Sequence, residues 1–597
     1  MCAPAELTWR GLLVATALIA FAAFGAEPSQ RAIRIGVPLV PETMDPARAD
    51  NMVAQMVMAG VYDTLYVLDP LARPAVIVPL AAAALPEISP DYRTFTIRIR
   101  PGIFFTPHPG FGGKSREVTA ADFAYSIRRV HDPKVHSPNL FLLEGKIEGL
   151  DALAKQAKDA GRALDYDAPV PGLVVVDRQT LRIRLNVPDP IFPFLLASPL
   201  TSAVAREVVT AEGETYGQRP IGTGAFVVAA FTPGQRMTLV RNSSYRPRQW
   251  EDLLTAASRS KHAAHPMAGR TLPGADRIEL FSTPEQSSEL LALRRRELDV
   301  MYLRSPELAT VDGALKRELV VDGIRLVRGS TPVVYQTFFN MRDPTLGGIA
   351  PDKIALRRAI QMAIDNREWT RVIDAGFSAE REQIVPPDIE GHIDGYRDPN
   401  RFDRATANAL LDRFGYRRGA DGYRRKPDGS PLTIAALSGT SSSSRQSMEF
   451  TKRMLDRVGI RIEFETVTTG ERLKRMIQCR FGMANMDWGL DVPDGTNPMS
   501  MFYSKAIGGA NMSCFVDPEF DAAFEKALVT PPGPARAQLF RTLQTRVDAY
   551  APAGLRPAFD TLVLTRDTIL GPFATISDWL QLVTLSVGPA PPPSSRR

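Results

Sequence analysis

A strand, a helix and a second strand follow one another within residues 432–467, and this order constrains the fold more than any other feature of the sequence. Residues 432–437 (LTIAAL) form an apolar run, 446–458 carry a helical pattern, and 460–467 read as the next strand. Strands joined through a helix pair in parallel, because the crossover returns the chain to the same end of the sheet. The segment therefore predicts a parallel α/β unit, with residues 483–488 as its following strand.

The first half of the chain has strand patterns of a different kind. Residues 33–37, 94–100 and 180–187 alternate between apolar and polar side chains, which predicts strands with one buried face. Between the second and third of these, Thr119 is a suitable N-cap and Asp122 stands three residues later, so a helix with a capping box is predicted to begin there. The first half is thus expected to be rich in β-structure.

A long helical pattern extends over residues 351–375, with Pro351 at its start and Gly376 just past its end, so one continuous helix is predicted there. A chain of 597 residues is also too long for one hydrophobic core. The sequence therefore indicates an α/β protein of at least two domains, one rich in β-structure and one with parallel strands.

The N-terminus has the pattern of a secretory signal peptide. Arg10 precedes an uninterrupted run of apolar and small residues over 11–26, and Ala23 and Gly25 offer a cleavage site. A membrane anchor is the alternative, but the run is shorter than the ~20 residues that a spanning helix needs. Cys2 lies before the apolar run, so it is not placed to carry a lipid anchor. We expect residues 1–26 to be removed and the mature protein to be periplasmic, without a lipid anchor.

The charge of the chain argues against nucleic-acid binding. The 72 Lys and Arg against 66 Asp and Glu give a net charge of +6, and the basic residues are scattered along the chain. Proteins that bind nucleic acids concentrate positive charge on one face or stripe. No nucleic-acid partner is therefore expected.

Two cysteines, Cys479 and Cys514, remain after the signal peptide is removed. In an oxidising compartment a disulfide between them is the first expectation. Two separate buried thiols are the alternative, since the sequence alone does not bring the two sulfur atoms together.

No catalytic motif stands out. The chain has no Gly-x-Ser-x-Gly elbow and no His-Glu-x-x-His pair. His262 and His265 are three residues apart but lack a third ligand nearby, so neither a metal nor a cofactor is expected. Asp491 and Asp494 have a spacing that an acid–base pair can have, and an exported hydrolase that uses these carboxylates is the alternative function from the enzyme class.

A series of short segments, spread in a fixed order over the chain, carries a family resemblance. Residues 43–46 (TMDP) open the series, and residues 220–226 (PIGTGAF) form its glycine-threonine-glycine segment, with Ala225 in place of the usual proline. The other segments are residues 61–65, 95–105, 118–123, 132–133, 241–245, 339–340, 357–365 and 386–387. Together and in this order they resemble the family 5 extracellular solute-binding proteins, the oligopeptide and dipeptide receptors of bacterial ABC importers.

The resemblance implies a two-lobed fold of the periplasmic-binding-protein type II kind, with an extra subdomain inserted in the first lobe. Lobe I would comprise residues 32–60, 175–280 and 541–590, the insertion residues 61–174, and lobe II residues 281–540. The Pro-rich end, residues 591–597, is expected to be disordered. The chain would cross between the lobes twice, and ligand would be enclosed as they close.

In peptide-binding members of this family, a tryptophan followed three residues later by an aspartate lies in the cleft, and the aspartate pairs with the amino terminus of the peptide. Trp488 and Asp491 match that spacing. The pairing is physically reasonable, because a buried ammonium without an anionic partner costs several kcal/mol. A core tryptophan followed by an aspartate that caps a turn is the alternative.

Two further positions carry over from the resemblance. Asp50, Asn51 and Met52 correspond to a stretch whose backbone pairs with an extended peptide, which is recognition by strand addition. Asn139 stands where a peptide-binding relative has a tyrosine that faces the cleft, and this departure leaves open whether the ligand is the same. Ordinary loop polarity is the alternative at both positions.

The resemblance thus implies a monomeric periplasmic receptor, without enzymatic activity, that hands a peptide or peptide-like ligand to an ABC permease in the membrane. A receptor for another organic solute is the alternative in the same class, since one fold serves many ligands. A receptor that presents its ligand to a sensor rather than to a permease is a third hypothesis.

Overall fold

The computed structural model describes residues 31–283, 285–329, 332–573 and 581–588. The expected signal peptide (1–26) and the expected disordered tail (591–597) lie outside these residues. Two large sheets organise the described chain, and each defines a lobe. The seven-stranded sheet belongs to lobe I, and the five-stranded sheet belongs to lobe II.

The sheet of lobe I is mixed. In spatial order its strands are Ile324–Gly329, Thr561–Arg566, Val300–Tyr302, Ala32–Val37, Arg277–Ser282, Arg236–Arg241 and Phe226–Thr232. The first strand of the chain, Ala32–Val37, is parallel to both of its neighbours, whereas the remaining pairs are antiparallel. Its alternate residues Ile33 and Ile35 are fully buried, as the sequence pattern predicts.

A smaller antiparallel sheet lies beside this one. Its strands are Glu87–Ile88, Thr94–Arg98, Thr180–Arg184 and Leu173–Asp177. The helix Ala120–His131 packs on it and begins as the sequence predicts, since the backbone N–H of Thr119 donates to Asp122 Oδ2 at 2.7 Å. The apolar side chains of this sheet and helix share one continuous core with the large sheet of lobe I.

Lobe II contains the predicted parallel unit. Strands Thr433–Ser438 and Arg461–Thr466 are parallel and are joined by the helix Ser442–Asp456, and Met483–Gly489 lies parallel on the other side. Two antiparallel strands, Val333–Phe339 and Ala553–Leu555, complete this sheet. Both faces are covered, and each carries its own hydrophobic cluster.

The predicted helix over 351–375 is wrong as one continuous element. The structure has a helix Pro351–Ala363 and a second helix Asn366–Val372. Asp365 causes the break, because its side chain accepts hydrogen bonds from the first backbone N–H groups of the second helix, at Arg367 and Glu368.

Most other helices lie on the outer faces of the sheets. In lobe I and its insertion they are Met52–Val61, Leu150–Asp159, Phe192–Leu195, Arg206–Glu212, Ala256–Lys261, Gln286–Arg294 and Arg317–Val321. In lobe II they are Arg404–Arg413, Thr469–Ile477, Thr496–Met499, Pro518–Val529 and Pro534–Tyr550. Among the described residues, no helix has both the length and the apolar character needed to cross a membrane.

The chain passes from lobe I to lobe II between Gly329 and Val333 and returns between Leu555 and Thr561. The expected boundary at residue 281 therefore differs from the structure, in which two later strands, Val300–Tyr302 and Ile324–Gly329, pair into the sheet of lobe I. The expected return at residue 541 differs as well, because helix Pro534–Tyr550 packs in the core of lobe II. Similarly, the insertion extends beyond residue 174 to include both strands of its own hairpin.

Candidate functional site

A cavity of about 960 Å³ lies where lobe I meets a loop of lobe II. Lobe I supplies most of its wall, including Gln55 of helix Met52–Val61, and lobe II contributes Asp491 and Pro493. The lining is largely apolar and includes Ala59, Val67, Leu68, Leu80, Phe194 and Leu582. An apolar lining with a few polar groups suits a small organic ligand.

The lobes are in contact around this cavity. Val492, on the loop of lobe II, is packed into the hydrophobic core of lobe I. In the opposite direction, Ala75 of the insertion joins the core cluster of lobe II. An ion pair between Arg73 Nε and Asp388 Oδ2, 3.9 Å apart, also joins the two lobes. The two lobes thus contact each other beside the cavity.

The loop that carries Asp491 is fixed at both ends. At its start, the backbone N–H of Leu490 donates to the carbonyl of Pro332 at 3.0 Å, which continues the pairing of strand Met483–Gly489. At its other end, Asp494 is buried and forms two hydrogen bonds with Arg536, at 2.6 and 2.9 Å. Asp491 therefore extends from a well-anchored turn.

Asp491 faces the cavity with its charge largely uncompensated. Its Oδ2 accepts one long hydrogen bond from Asn497 Nδ2 at 3.3 Å, and within the described residues no cationic group lies at ion-pair distance from it. Its side chain is exposed to water, and partial desolvation by the surrounding protein raises the pKa of the Asp491 carboxyl. Such a carboxylate is suited to a cationic ligand group.

The hypothesis of an acid–base pair formed by Asp491 and Asp494 is contradicted by these contacts. Both carboxylate oxygens of Asp494 are engaged by Arg536, and Oδ1 also accepts hydrogen bonds from the backbone N–H and the hydroxyl of Thr496. Asp494 is 1% exposed, so it stabilises the loop and does not meet solvent or substrate.

Trp488 lies outside the set of residues that line the cavity. It stands opposite Val334 in the sheet of lobe II, and its half-buried ring packs on the core cluster of that lobe. Its Nε1–H is buried and has no acceptor in the described part of the chain. The spacing of three residues thus brings only Asp491, and not Trp488, to the cavity wall.

The segment expected to pair with an extended peptide lies directly before a helix. Met52 is the first residue of helix Met52–Val61, and Asn51 is its N-cap, whose Oδ1 accepts from the backbone N–H of Ala54 at 2.9 Å. Asp50 is exposed and contacts Asn51. Asn51 itself has an extended backbone, so the helix excludes strand pairing only from Met52 onward, and strand addition at Asp50 and Asn51 stays a prediction.

Asn139 is buried, and its side chain is hydrogen-bonded within the protein. Its Nδ2 donates to the carbonyl of Ala49 at 2.7 Å, which ties the insertion to the segment before helix Met52–Val61. It does not line the cavity. The hydrogen bond identifies Asn139 as a structural link between the two parts of lobe I.

Several polar residues of the cavity wall were missed by the sequence argument. Asp63 is buried and bonded to Arg246 at 2.6 Å. Tyr245 and Arg248 lie nearby on the same wall, in a hydrogen-bonded contact. Asp63 and Tyr245 lie in two of the family segments, 61–65 and 241–245, but nothing there marked them as site residues, and Arg248 lies in the two-residue strand Arg248–Gln249.

The cysteines and histidines have structural positions. Cys479 and Cys514 form a disulfide, with Cα atoms 6.2 Å apart. His265 stacks on Trp250 with ring centroids 5.2 Å apart. Within the described ranges, no group of three His, Cys, Asp or Glu side chains is arranged to hold a metal ion.

Comparison with known proteins gives a family match. The model of bacterial extracellular solute-binding proteins, family 5 Middle, matches residues 76–510. The di/tripeptide-binding protein 2 of Pseudomonas aeruginosa is 24% identical over 548 residues, which cover 88% of this chain and 90% of that protein. The heme-binding protein A of Haemophilus influenzae is 23% identical over 474 residues, which cover 78% of this chain and 76% of that protein.

A solved structure of a periplasmic binding protein has a similar fold. The periplasmic binding protein DppA from Helicobacter pylori, in complex with the peptide STSA, superposes with a TM-score of 0.68 at 19% identity. The superposition covers 94% of this chain and 98% of that one. The expected two-lobed α/β fold is therefore confirmed. By the length of the match and by its architecture, the chain belongs to the family 5 bacterial extracellular solute-binding proteins.

Proposed function

We propose that this protein is a periplasmic receptor that binds a peptide or peptide-like solute in the cavity between its lobes and delivers it to an ABC permease. The observation that carries the proposal is the Asp491 carboxylate, which faces an apolar cavity without a cationic partner in the described chain. An ammonium group of a ligand supplies the missing charge. The names of the Pseudomonas aeruginosa and Helicobacter pylori relatives, a di/tripeptide-binding protein and a peptide complex, support this ligand class.

The receptor acts by closure and not by chemistry. The connection between the lobes at residues 555–561 is a natural hinge, and the interlobe contacts of Val492 and Arg73 form as the lobes close. The pairing of Asp494 with Arg536 leaves Asp491 without the second carboxylate that the hydrolase alternative requires. In this scheme lobe I comprises residues up to about 329 and from about 561, and lobe II comprises the residues between.

A non-peptide amphipathic solute is the second candidate, and the mostly apolar lining of the cavity favours it. The Haemophilus influenzae relative, a heme-binding protein, shows that the names within this group are not limited to peptides. Native mass spectrometry of protein purified from its own periplasm separates the two candidates. A bound species of peptide mass supports the first, and one of non-peptide composition supports the second.

The role of Asp491 is tested with Leu-Leu and Leu-Leu-Leu as probes, each with a free and an acetylated amino terminus, by isothermal titration calorimetry. We expect the free amines to bind and acetylation to weaken binding by ~10–100-fold, the range of a charge-assisted hydrogen bond. Asp491→Asn should lower affinity for the free amine to that of the acetylated probe. Asp394→Asn is the matched control, since it removes an exposed carboxylate of the same lobe outside the cavity. Equal affinities of Asp491→Asn and the unaltered protein would overturn the assignment.

A further inference from the structure

Residues 69–76 connect the two strands of a hairpin in the insertion, Tyr66–Leu68 and Ile77–Pro79, and we call them the strap segment. This segment contacts both lobes. Leu71 packs against a hydrophobic cluster of lobe I, whereas Ala75 belongs to the core cluster of lobe II. The insertion thus reaches from the lobe that carries it to the opposite lobe.

The strap segment is fixed on the side of lobe I. Asp69 is buried, and its Oδ2 accepts hydrogen bonds from the backbone N–H and the hydroxyl of Thr255, at 2.8 and 2.9 Å. Its Oδ1 accepts from the backbone N–H groups of Leu71 and Ala72, at 2.9 and 3.1 Å. Because one buried carboxylate binds both the turn and its support, the strap segment keeps its position on lobe I.

On the side of lobe II, the strap segment joins the core cluster that a loop of that lobe, residues 384–389, also enters. Ala75 is buried, and the cluster includes Ile384 and Ile389 of this loop. The loop is itself held in lobe II, since the backbone N–H of Ile384 donates to Gln544 Oε1 at 2.9 Å. Two well-supported loops therefore meet at this contact.

An ion pair joins the same two loops. Arg73 Nε lies 3.9 Å from Asp388 Oδ2, and both side chains are partly accessible to water. Neither of these residues nor Ala75 belongs to the described residues that line the cavity. The contact therefore joins the lobes through protein groups alone, at a place that does not form the cavity wall.

We propose that the strap segment holds lobe II against lobe I in the absence of ligand, so that the insertion sets the closed fraction of the empty receptor. This inference rests on the proposed function for the step of closure. A contact made only in the closed state favours that state by its own free energy, and a ligand that binds the closed state then needs less of its binding energy for closure. Loss of the contact lowers the affinity without removing any group that touches the ligand.

The test measures the distance between the lobes of the ligand-free mature chain by double electron–electron resonance. Spin labels are attached through Lys261→Cys on lobe I and Glu449→Cys on lobe II, two exposed sites. Cys479 and Cys514 are bonded to each other and do not take up the label. We expect the empty unaltered protein to populate a short interlobe distance. In Ala75→Asp, closure buries a carboxylate in an apolar cluster, so the ratio of short to long distances should fall by ~10-fold or more.

Ala83→Asp is the matched control, since it places the same charge at an exposed alanine of the insertion outside the strap segment. Its distances should equal those of the unaltered protein. A second pair of variants tests the ion pair on the surface, where folding is not at risk. Asp388→Arg should lower the ratio of short to long distances by ~1.5–5-fold, the range of an exposed ion pair, and the addition of Arg73→Glu should restore it.

The outcomes separate this inference from peptide binding. If the empty unaltered protein shows only the long distance, or if Ala75→Asp shows the same distances as Ala83→Asp, the role of the strap segment is overturned, whatever the ligand is. If Ala75→Asp loses the short distance and Leu-Leu-Leu restores it, both proposals are supported. If Ala75→Asp loses the short distance while native mass spectrometry of the unaltered protein reveals a non-peptide ligand, the strap segment stands and peptide binding is overturned.

Discussion

Arg536 and Asp494 form a buried ion pair in which Nη1 and Nη2 of the arginine each donate to one carboxylate oxygen, at 2.6 and 2.9 Å. Their side chains are 0% and 1% exposed. The arginine comes from helix Pro534–Tyr550, and the aspartate stands three residues after Asp491. The pair therefore attaches the loop that faces the cavity to a core helix of lobe II.

Breaking this pair from one side should be strongly destabilising. Arg536→Ala leaves the Asp494 carboxylate buried without its cation, which should lower the free energy of unfolding by ~3–5 kcal/mol. Urea denaturation followed by circular dichroism measures the change. The control is Lys155→Ala, whose ion pair with Asp159 lies on the surface and should contribute little. A loss in Arg536→Ala no larger than in the control would contradict the role of the pair.

Asp491 should destabilise the empty protein at neutral pH. Partial desolvation raises the pKa of this exposed carboxyl, so the folded state holds the proton more tightly than the unfolded state does. Its stabilising contribution is complete below the unfolded pKa and is lost as the pH rises through the raised folded pKa. Ligand-free Asp491→Asn should therefore melt at a higher temperature than the unaltered protein at pH 7, and the difference should shrink in acid. A lower melting temperature of the variant at pH 7 would refute this prediction.

Asp398 and Asp548 should produce a second pH dependence of stability. Burial, aided by their mutual repulsion, raises the pKa of Asp398 to about 7, and burial raises that of Asp548 to about 6. Since both values lie above the ~3.9 of an unfolded aspartate, protonation favours the folded state. Stability from this source is full below pH ~4 and is lost as the pH rises through the two raised values.

Asp398→Asn tests this pair of carboxyl groups. The amide keeps an oxygen for the backbone N–H of Asn400, which bonds the carboxylate at 2.7 Å, but it cannot ionise. The melting temperature of the variant should exceed that of the unaltered protein at pH 8, and the advantage should vanish at pH 4. Parallel profiles of the two proteins over this range would show that Asp398 does not titrate there.

The Cys479–Cys514 disulfide should contribute substantially to stability. It closes a loop with a sequence separation of 35, which corresponds to ~3–4 kcal/mol in the chain-entropy model. Addition of a reductant should lower the free energy of unfolding by this amount. The double variant Cys479→Ala, Cys514→Ala should show the lower value with and without reductant. A reductant effect that persists in the double variant would exclude the disulfide as its source.

Asn139 should affect folding rather than binding. Asn139→Ala removes the buried hydrogen bond to the carbonyl of Ala49 and should cost ~1–3 kcal/mol of stability. Because the side chain lies outside the cavity, affinity for a bound peptide measured below the melting transition should not change. A selective loss of affinity with unchanged stability would return Asn139 to the binding site.

Local sequence patterns predicted strands and helix starts well where a single signal, such as apolar alternation or a capping residue, was clear. Apolar alternation marked Ala32–Val37, and the helix that follows Thr119 begins with the predicted capping bond, which the Thr119 backbone N–H donates to the Asp122 carboxylate. The pattern over 351–375 failed because its helical period continues through Asp365, whereas the side chain of that residue caps a new helix. Periodicity reports which face is buried and does not report where the backbone bonds are interrupted.

The sequence did not predict which strands pair when they lie far apart along the chain. Strands Val300–Tyr302 and Ile324–Gly329 were assigned to lobe II, because nothing in their composition shows that their partner is Thr561–Arg566. Of the two residues that the spacing picked out, Asp491 lines the cavity and Trp488 does not. Arg248 gave no signal, since it lies in a two-residue strand that no sequence pattern marks.

The position of strand Thr561–Arg566 has a consequence for the order in which this protein assembles. The strand lies between Val300–Tyr302 and Ile324–Gly329 in the sheet of lobe I. These two strands do not pair with each other, so Ile324–Gly329 joins the sheet only through Thr561–Arg566. A nascent chain that stops short of residue 561 holds every strand of lobe II and an interrupted lobe I. Lobe II is thus the part able to reach its native structure first, and the lobe that begins the polypeptide must wait for nearly all of it to emerge.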